Sequence, residues 1–329
     1  MRKVLLVLLS LALVITMGFS YTAALMITGE VGGNPIYEMM VAGAEEAAKE
    51  MGFDLKVVEG GYNAAKWEPN LISLASTGKY DLIITFTEGM PNSVAKVARM
   101  FPNQNFALVD GLVTESIPNV FSLGFKDEEM AYLAGYFAGM ITQSELERAN
   151  PELKVGLLAG DIYPAMTDRM RPAYIAGAKA ANPEIELVFS AAGTWSDPNK
   201  GQELAQAQFE QGVDIIHIIA GGTGVGAINK AAEMNKYIIG VDSNIIHFDP
   251  DTILACSLKY ADKAIKNLLI RDYKGELPYG TYERWGIREG VIDFTFEDPN
   301  YFANIPAEIK EKMRLIFARL YCGEIDILE

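Results

Sequence analysis

Four glycines, Gly221, Gly222, Gly224 and Gly226, stand between a largely apolar run, Val213–Ile219, and a helical stretch, Ala227–Asn235, and Asp242 closes the next apolar run. Glycine at a strand-to-helix turn lets the backbone come close to a ligand and leaves the first helical N–H groups free to donate. A carboxylate at the end of the following parallel strand lies on the same sheet edge, where open α/β sheets bind ligands. The chemistry on offer is therefore binding, by N–H donors and carboxylate acceptors. Gly222-x-Gly224-x-x-Ala227, with Asp242 twenty positions after Gly222, also imitates a dinucleotide fingerprint with its ribose-binding acid. A plain tight turn accounts for the same glycines.

Other polar side chains fall at comparable places. Ala23–Ile27 leads into Thr28-Gly29-Glu30-Val31-Gly32-Gly33-Asn34 with Tyr37 following, Leu82–Phe86 into Thr87-Glu88-Gly89, Phe106–Val109 into Asp110-Gly111, and Leu254–Leu258 into Lys259. Each alone is ordinary turn and cap chemistry. Gathered on one edge, Asn34, Glu88, Asp110 and Asp242 would accept from hydroxyls or amine protons and Lys259 would donate. Tyr37 and Trp195, the latter in a Gly-Thr-Trp-Ser-Asp-Pro loop, are aromatic candidates for a planar ring. Thr223 lies within the glycine turn and His217 in the apolar run before it. With only His217 and His247 and no zinc spacing, a metal or histidine-catalysed site has little to draw on, and none is expected.

The elements that must hold these residues alternate. Strand-like runs at Ala23–Ile27, Leu55–Val58, Leu82–Phe86, Phe106–Val109 and Val120–Leu123 are separated by amphipathic stretches at Ile36–Met51, Trp67–Ser76 and Pro91–Phe101. A second series follows, with strands at Val155–Leu158, Glu186–Phe189, Asp214–Ile219 and Tyr237–Val241 and helices near Glu128–Ile141, Met166–Ala181, Pro198–Gln211 and Val225–Asn235. Near-continuous apolar strands alternating with helices mean parallel sheets covered on both faces, here two α/β lobes joined by short hinge crossings. The expected division is residues 21–124 plus 257–280 for the first lobe and 125–256 plus 281–329 for the second. On it, the strand and helix of Ile253–Lys274 complete the first lobe, and Trp285 and a terminal helix near Ala307–Tyr321 return to the second lobe or the hinge.

Residues 1–20 read as an export signal: Arg2 and Lys3, an apolar stretch Val4–Met17, and small side chains at Gly18 and Ser20 before a cut. Fourteen such residues are short for a membrane span of ~20, although an uncleaved anchor stays open. No cysteine is near the cut, so a thioether lipid anchor is not expected. Of 329 residues 28 are basic and 43 acidic, and the cut would remove two bases and no acid. Such a balance argues against nucleic acid or anionic membranes as partners. The two cysteines, Cys256 and Cys322, are expected to stay unpaired, with a bridge chemically possible after export.

NVFSLGFKDEEMAYLAGYFAGM, GTWSDPNKGQELAQAQFEQGVDIIHIIAGGTGVG, YIIGVDSN and SLKYADKAI, in that order, resemble the basic membrane protein family, the purine-nucleoside-receptor-like substrate-binding proteins of ABC transporters. The resemblance covers nearly the whole mature chain. It implies the type I periplasmic-binding-protein fold, two Rossmann-like lobes with three hinge crossings, and a small molecule held between them. It further implies that Gly222, Asp242 and Lys259 help hold a ribose and that Asp110 lies near the base. The chain has Glu30-Val31-Gly32-Gly33-Asn34 where the family usually has an aspartate followed by Phe-Asn, and His217 where a phenylalanine is frequent.

The expectation is thus a non-enzymatic, cofactor-free, exported monomer, periplasmic or at the cell surface. It would capture a purine nucleoside and deliver it to a membrane permease. Riboflavin or another small heterocycle, and sensing in place of transport, are alternatives on the same fold. An alternative of another class is a nucleotide-dependent oxidoreductase using the Gly222 turn, which the export signal and the motif's late position disfavour.

Overall fold

The computed structural model describes residues 21–327, so the export-signal reading of residues 1–20 lies outside the described residues. In chain order the first lobe contains β1 (Thr22–Ile27), α1 (Pro35–Met51), β2 (Asp54–Glu59), α2 (Trp67–Ser76), β3 (Leu82–Phe86), α3 (Pro91–Met100), β4 (Asn105–Val109) and β5 (Val120–Phe125). The second begins with α4 (Asp127–Thr142) and continues through β6 (Lys154–Ala159), α5 (Arg171–Ala181), β7 (Glu186–Ala191), α6 (Pro198–Glu210), β8 (Ile215–Ile219), α7 (Thr223–Glu233), β9 (Tyr237–Asp242) and β10 (Ile253–Lys259). Then come α8 (Ala261–Tyr273), β11 (Thr281–Trp285), β12 (Ile292–Phe294), α9 (Pro299–Asn304) and α10 (Ala307–Cys322).

Each lobe is one six-stranded sheet, ordered β11-β5-β4-β3-β1-β2 in the first and β12-β10-β9-β8-β6-β7 in the second. All pairings are parallel except β12 with β10. Both faces are covered, as the apolar runs demand. In β1, Ala23, Leu25 and Ile27 join one core and Ala24 and Met26 another on the opposite face, all fully buried. Two Rossmann-like α/β lobes thus form the type I periplasmic-binding-protein architecture.

The last third of the chain departs from the expected division. β10 lies in the second sheet beside β9, and β11 in the first sheet beside β5. Successive strands with a short connection tend to neighbour each other, so β10 pairs with the strand before it, and the chain crosses only after Lys259. The helix α8 does pack on α1 of the first lobe, so closely that a Cβ on Gly43 would lie 2.2 Å from the Asp262 carbonyl oxygen. β11 could not be read as a strand because Thr281 and Tyr282 are exposed and its sequence, TYERW, is polar. Trp285 ends β11 at the third crossing, where its carbonyl accepts from Lys126 N–H at 2.8 Å, and α10 packs on α4 of the second lobe. The hinge therefore consists of the crossings β5→α4, β10→α8 and β11→β12. Both cysteines are free, Cys256 buried in β10 and Cys322 exposed.

Two sequence features turn out to be structural. A Cβ on Gly226 would fall 1.7 Å from the Pro198 carbonyl oxygen, and one on Gly201 would fall 1.9 Å from that of Thr223, so these glycines let α6 and α7 touch backbone to backbone. His217, a candidate ligand residue, is instead fully buried in mid-β8. Its Nε2 is 3.0 Å from Ser257 Oγ, and its ring stacks on Tyr174 of α5 at 5.6 Å. The departure from the family's frequent phenylalanine therefore falls inside the core of the second lobe.

Both features have measurable consequences. Gly226→Ala must push α7 off α6, because a backbone carbonyl cannot yield as a side chain can. Urea denaturation should show a loss of about 1–3 kcal/mol or more, and an unchanged midpoint would refute the close packing. Burial pulls the His217 pKa from 6.5 down to about 3. Between those values the unfolded chain takes up a proton that the folded chain refuses, so stability falls as pH drops through the window. His217→Phe should flatten the stability–pH curve from 6.5 to 3 relative to the wild type, and an unaltered slope would mean that His217 is protonated in the folded state.

Candidate functional site

Parallel strands in each sheet deliver their carboxyl ends to one edge, and the hinge brings the two edges face to face. The centre of the resulting cleft is Lys259, the last residue of β10. Its ammonium lies 2.7 Å from Asp127 Oδ1 and 3.6 Å from Asp110 Oδ1, and 5.0 Å from the Phe125 ring centroid. Burial alone would lower the Lys259 pKa, but the nearby carboxylates of Asp110, Asp127 and Asp242 outweigh it and hold the ammonium well above its ordinary range. Asp110 follows β4 directly, Asp242 closes β9, and Asp127 opens α4 immediately after the first crossing. The cluster therefore joins both lobes and two hinge crossings.

Three carboxylates around one ammonium leave excess negative charge. Burial pushes Asp110 up to about 6, against the pull of Lys259 and helped by Asp127, Glu88 and Asp242. Asp242 is raised for the same leading reason. No hydrogen bond among the described residues commits the carboxylate of Asp242 or the side-chain amide of Asn34. Ligand protons from hydroxyl or amine groups would supply the compensation that burial withholds. The described residues hold no group of three or more side chains arranged for a metal ion, and Lys259 itself occupies the cationic position.

The backbone is bent to aim these groups. Thr87, Asp110 and Asp242, each at or just past a strand's carboxyl end, have φ of 93°, 56° and 64°. Non-glycine residues adopt that region rarely, and a β-branched threonine least readily. Such strain persists where surrounding packing imposes it, characteristically at ligand sites.

Several candidates occupy other roles. Glu88 spends its carboxylate across the cleft, pairing with Arg169 Nη2 at 3.0 Å and accepting from Ala165 N–H at 3.3 Å. Thr223 is fully buried, its hydroxyl donating to the Thr194 carbonyl and accepting from Asp197 N–H, both at 3.0 Å. Gly222 is the N-cap of α7, yet the N–H groups beyond it are already taken: Thr223 N–H by the carbonyls of Trp195 and Ala220, and Gly224 N–H by that of Gly221. With Gly226 pressed on Pro198, this turn fixes the Trp195 loop, and the N–H groups of Thr223 and Gly224 are bonded within the protein instead of pointing free at a pyrophosphate.

The aromatic candidates also separate. Tyr37 is 9% exposed and meets Phe86 edge-on at 5.6 Å, so most of its ring is spent inside the lobe. Beside it Tyr62, which sequence reasoning missed, is 61% exposed; both rings crowd Gly29, where a Cβ would come within 2.4 Å of Tyr37 and 2.8 Å of Tyr62. In the second lobe the Trp195 indole lies on Gly160, where a Cβ would be 2.4 Å from the ring, with Tyr163 at 5.9 Å and 43% of the tryptophan exposed. Asp127 and Arg169 were missed as well. Asp127 stands two residues past β5 as the first residue of α4, whereas Arg169 lies inside a π-helical turn, Met166–Met170, with no sequence mark.

Comparison with known proteins agrees with this architecture. Basic membrane protein A of Borreliella burgdorferi is 30% identical over 281 residues, covering 82% of this chain and 78% of its own. The protein named ABC transporter nucleoside-binding protein BmpA in Lactococcus lactis is 26% identical, covering 80% of this chain and 76% of its own. A crystal structure of an ABC transporter solute-binding protein from Aeropyrum pernix superposes with a TM-score of 0.80 at 25% identity, covering 93% of this chain and 92% of its own. The family model for PnrA-like ABC transporter substrate-binding proteins matches residues 21–323. The chain therefore belongs to the Bmp family of ABC transporter substrate-binding proteins.

Proposed function

We propose that this protein is an exported receptor that captures a purine nucleoside between its lobes and delivers it to its permease as a monomer, without catalysis or cofactor. The observation that carries the reading is the Asp110–Lys259–Asp242 cluster, in which two half-buried carboxylates, that of Asp242 without a hydrogen-bond donor among the described residues, meet a lysine between two lobes. Vicinal ribose hydroxyls are paired donors that suit such acceptors, and the lysine donates back to ribose or ring oxygen. Asn34 is the amide available to a base edge, and Tyr62 and Trp195 are the exposed rings available for stacking. The printed name of the Lactococcus relative supports a nucleoside. The basic and apolar start of the chain supports export, and no helix among the described residues is long and apolar enough to cross a membrane.

A ligand that touches both lobes favours their approach, whereas one that touches a single lobe cannot. That differential contact is the whole of the mechanism required for a receptor. One observation favours a second reading: a Cβ at Gly32 or Gly33 would meet nothing within 4 Å, so the first-lobe rim has space for a wider ring such as a flavin.

Charge-assisted hydrogen bonds contribute about 1.5–3 kcal/mol each. Asp242→Ala should therefore weaken nucleoside binding at least about tenfold in calorimetry with little change in melting temperature, and a 2′,3′-dideoxy analogue should lose a similar amount on the wild type. Unchanged affinity in the variant would remove the ribose assignment. Thermal-shift screening of adenosine, guanosine, inosine, uridine and riboflavin tests the ligand class. Stabilisation by the purine nucleosides is expected, a response to riboflavin alone would transfer the assignment to the flavin, and no response would remove ring recognition.

A further inference from the structure

The cleft contains a second set of charges, separate from the Lys259 cluster. Glu88 follows β3 of the first lobe; Arg169 lies in the π-helical turn before α5 of the second. Their 3.0 Å ion pair joins one lobe to the other, backed by the Ala165 N–H donating to the same carboxylate. Arg169 has another acid within reach, Glu128 of α4 in its own lobe, 3.8 Å from Nε. Glu128 in turn receives Arg284 of β11 at 2.5 Å, across the hinge. Glu88, Arg169, Glu128 and Arg284 thus form a chain of alternating sign and zero net charge that runs from the cleft to the third crossing.

The pieces at the two ends of the cross-lobe pair are irregular. Thr87, next to Glu88, holds φ of 93°, pinned where a Cβ on Gly111 would come within 2.7 Å of its carbonyl oxygen. The Arg169 turn is π-helical, a bulge that commonly marks functional sites. Arg169 Nε is buried without a hydrogen-bond partner, so the guanidinium is not fully committed to the geometry it holds. Both members of the pair retain 26% side-chain exposure, whereas Glu128 retains 11%.

We propose that Arg169 is the positioning residue of an ionic latch, exchanging Glu88 in the closed cleft for Glu128 in the open one, and so setting the closed population before ligand arrives. The exchange leaves no charge stranded: on opening, the guanidinium falls back on an acid already beside it, and Glu88 passes to water. A contact that exists only in the closed form favours that form by its own free energy, and a pair a quarter exposed shifts the ratio about fivefold. The latch makes closure dependent on ionic strength, because the pair stays within reach of salt. It rests on the cleft being the ligand site, but its readout needs no ligand.

The test measures the interlobe distance in ligand-free, full-length mature protein by pulsed electron resonance. Spin labels are placed at exposed Lys49 of the first lobe and exposed Glu184 of the second through Lys49→Cys and Glu184→Cys, in a Cys322→Ser background. Glu88→Gln and Arg169→Gln should each shift the closed-to-open ratio about fivefold toward open, the double variant should shift it no further, and Arg169→Lys should recover part of the loss. High salt should open the wild type and leave the double variant unmoved. Dissociation of whichever compound the thermal screen identifies should speed up by the same factor. Distances that do not move, or single effects that add in the double variant, would overturn the latch. Weaker binding by Glu88→Gln with unmoved distances would also overturn it, assigning Glu88 to direct ligand contact. Failure of the nucleoside screen leaves the distance measurement standing, so the two readings fail separately.

Discussion

The structure depends on one buried cation. Lys259 carries its ammonium to the end of β10, where desolvation alone would lower its pKa, and Asp110, Asp127 and Asp242 raise it well above the ordinary range. Asp127 lies just past the first hinge crossing and Lys259 just before the second, so their 2.7 Å pair ties the crossings side by side. Asp110 extends the same field to the far lobe. A half-satisfied buried charge group is costly, and here the shortfall is directed into the cleft as raised carboxylate pKa values and uncommitted acceptor atoms.

Two kinds of contact across the cleft then divide the labour. Lys259 and Asp127 are buried while the half-buried Asp110 and Asp242 present acceptors to a ligand, whereas Glu88 spends its carboxylate on Arg169. Commitment of the acceptors decides the difference. The inner cluster exchanges solvent for ligand hydrogen bonds, whereas the outer pair exchanges one protein acid for another.

The cost of aiming these groups is carried by the rigid parts. Left-handed backbone at Thr87, Asp110 and Asp242 is held by strands buried on both faces and by helices that meet through glycine, as α6 and α7 do at Gly201 and Gly226. The glycine-rich turn of the second lobe contributes by holding Trp195 in place: Thr223 is bonded to Thr194 and Asp197, and its N–H reaches the Trp195 carbonyl. A motif that imitates nucleotide binding serves here as scaffold for a neighbouring loop.

The sequence by itself determined the two α/β series, the parallel sheets and the placing of Asp110, Asp242 and Lys259 at strand ends, because apolar runs, helical periodicity and the residue after each run are local properties of the chain. Tertiary structure alone decided which sheet each late strand joins. The run Ile253–Lys259 is equally apolar for either sheet, and only the tight connection from β9 places it in the second; the polar TYERW becomes a strand only because β5 offers it an edge. The same holds for side-chain allegiance. Thr223, Tyr37 and Glu88 lie near strand ends and His217 inside β8, and the partners they meet, Thr194, Phe86, Arg169 and Tyr174, are all distant in sequence. A pattern of residue types fixes what a group can do, and only the fold determines which partner reaches it.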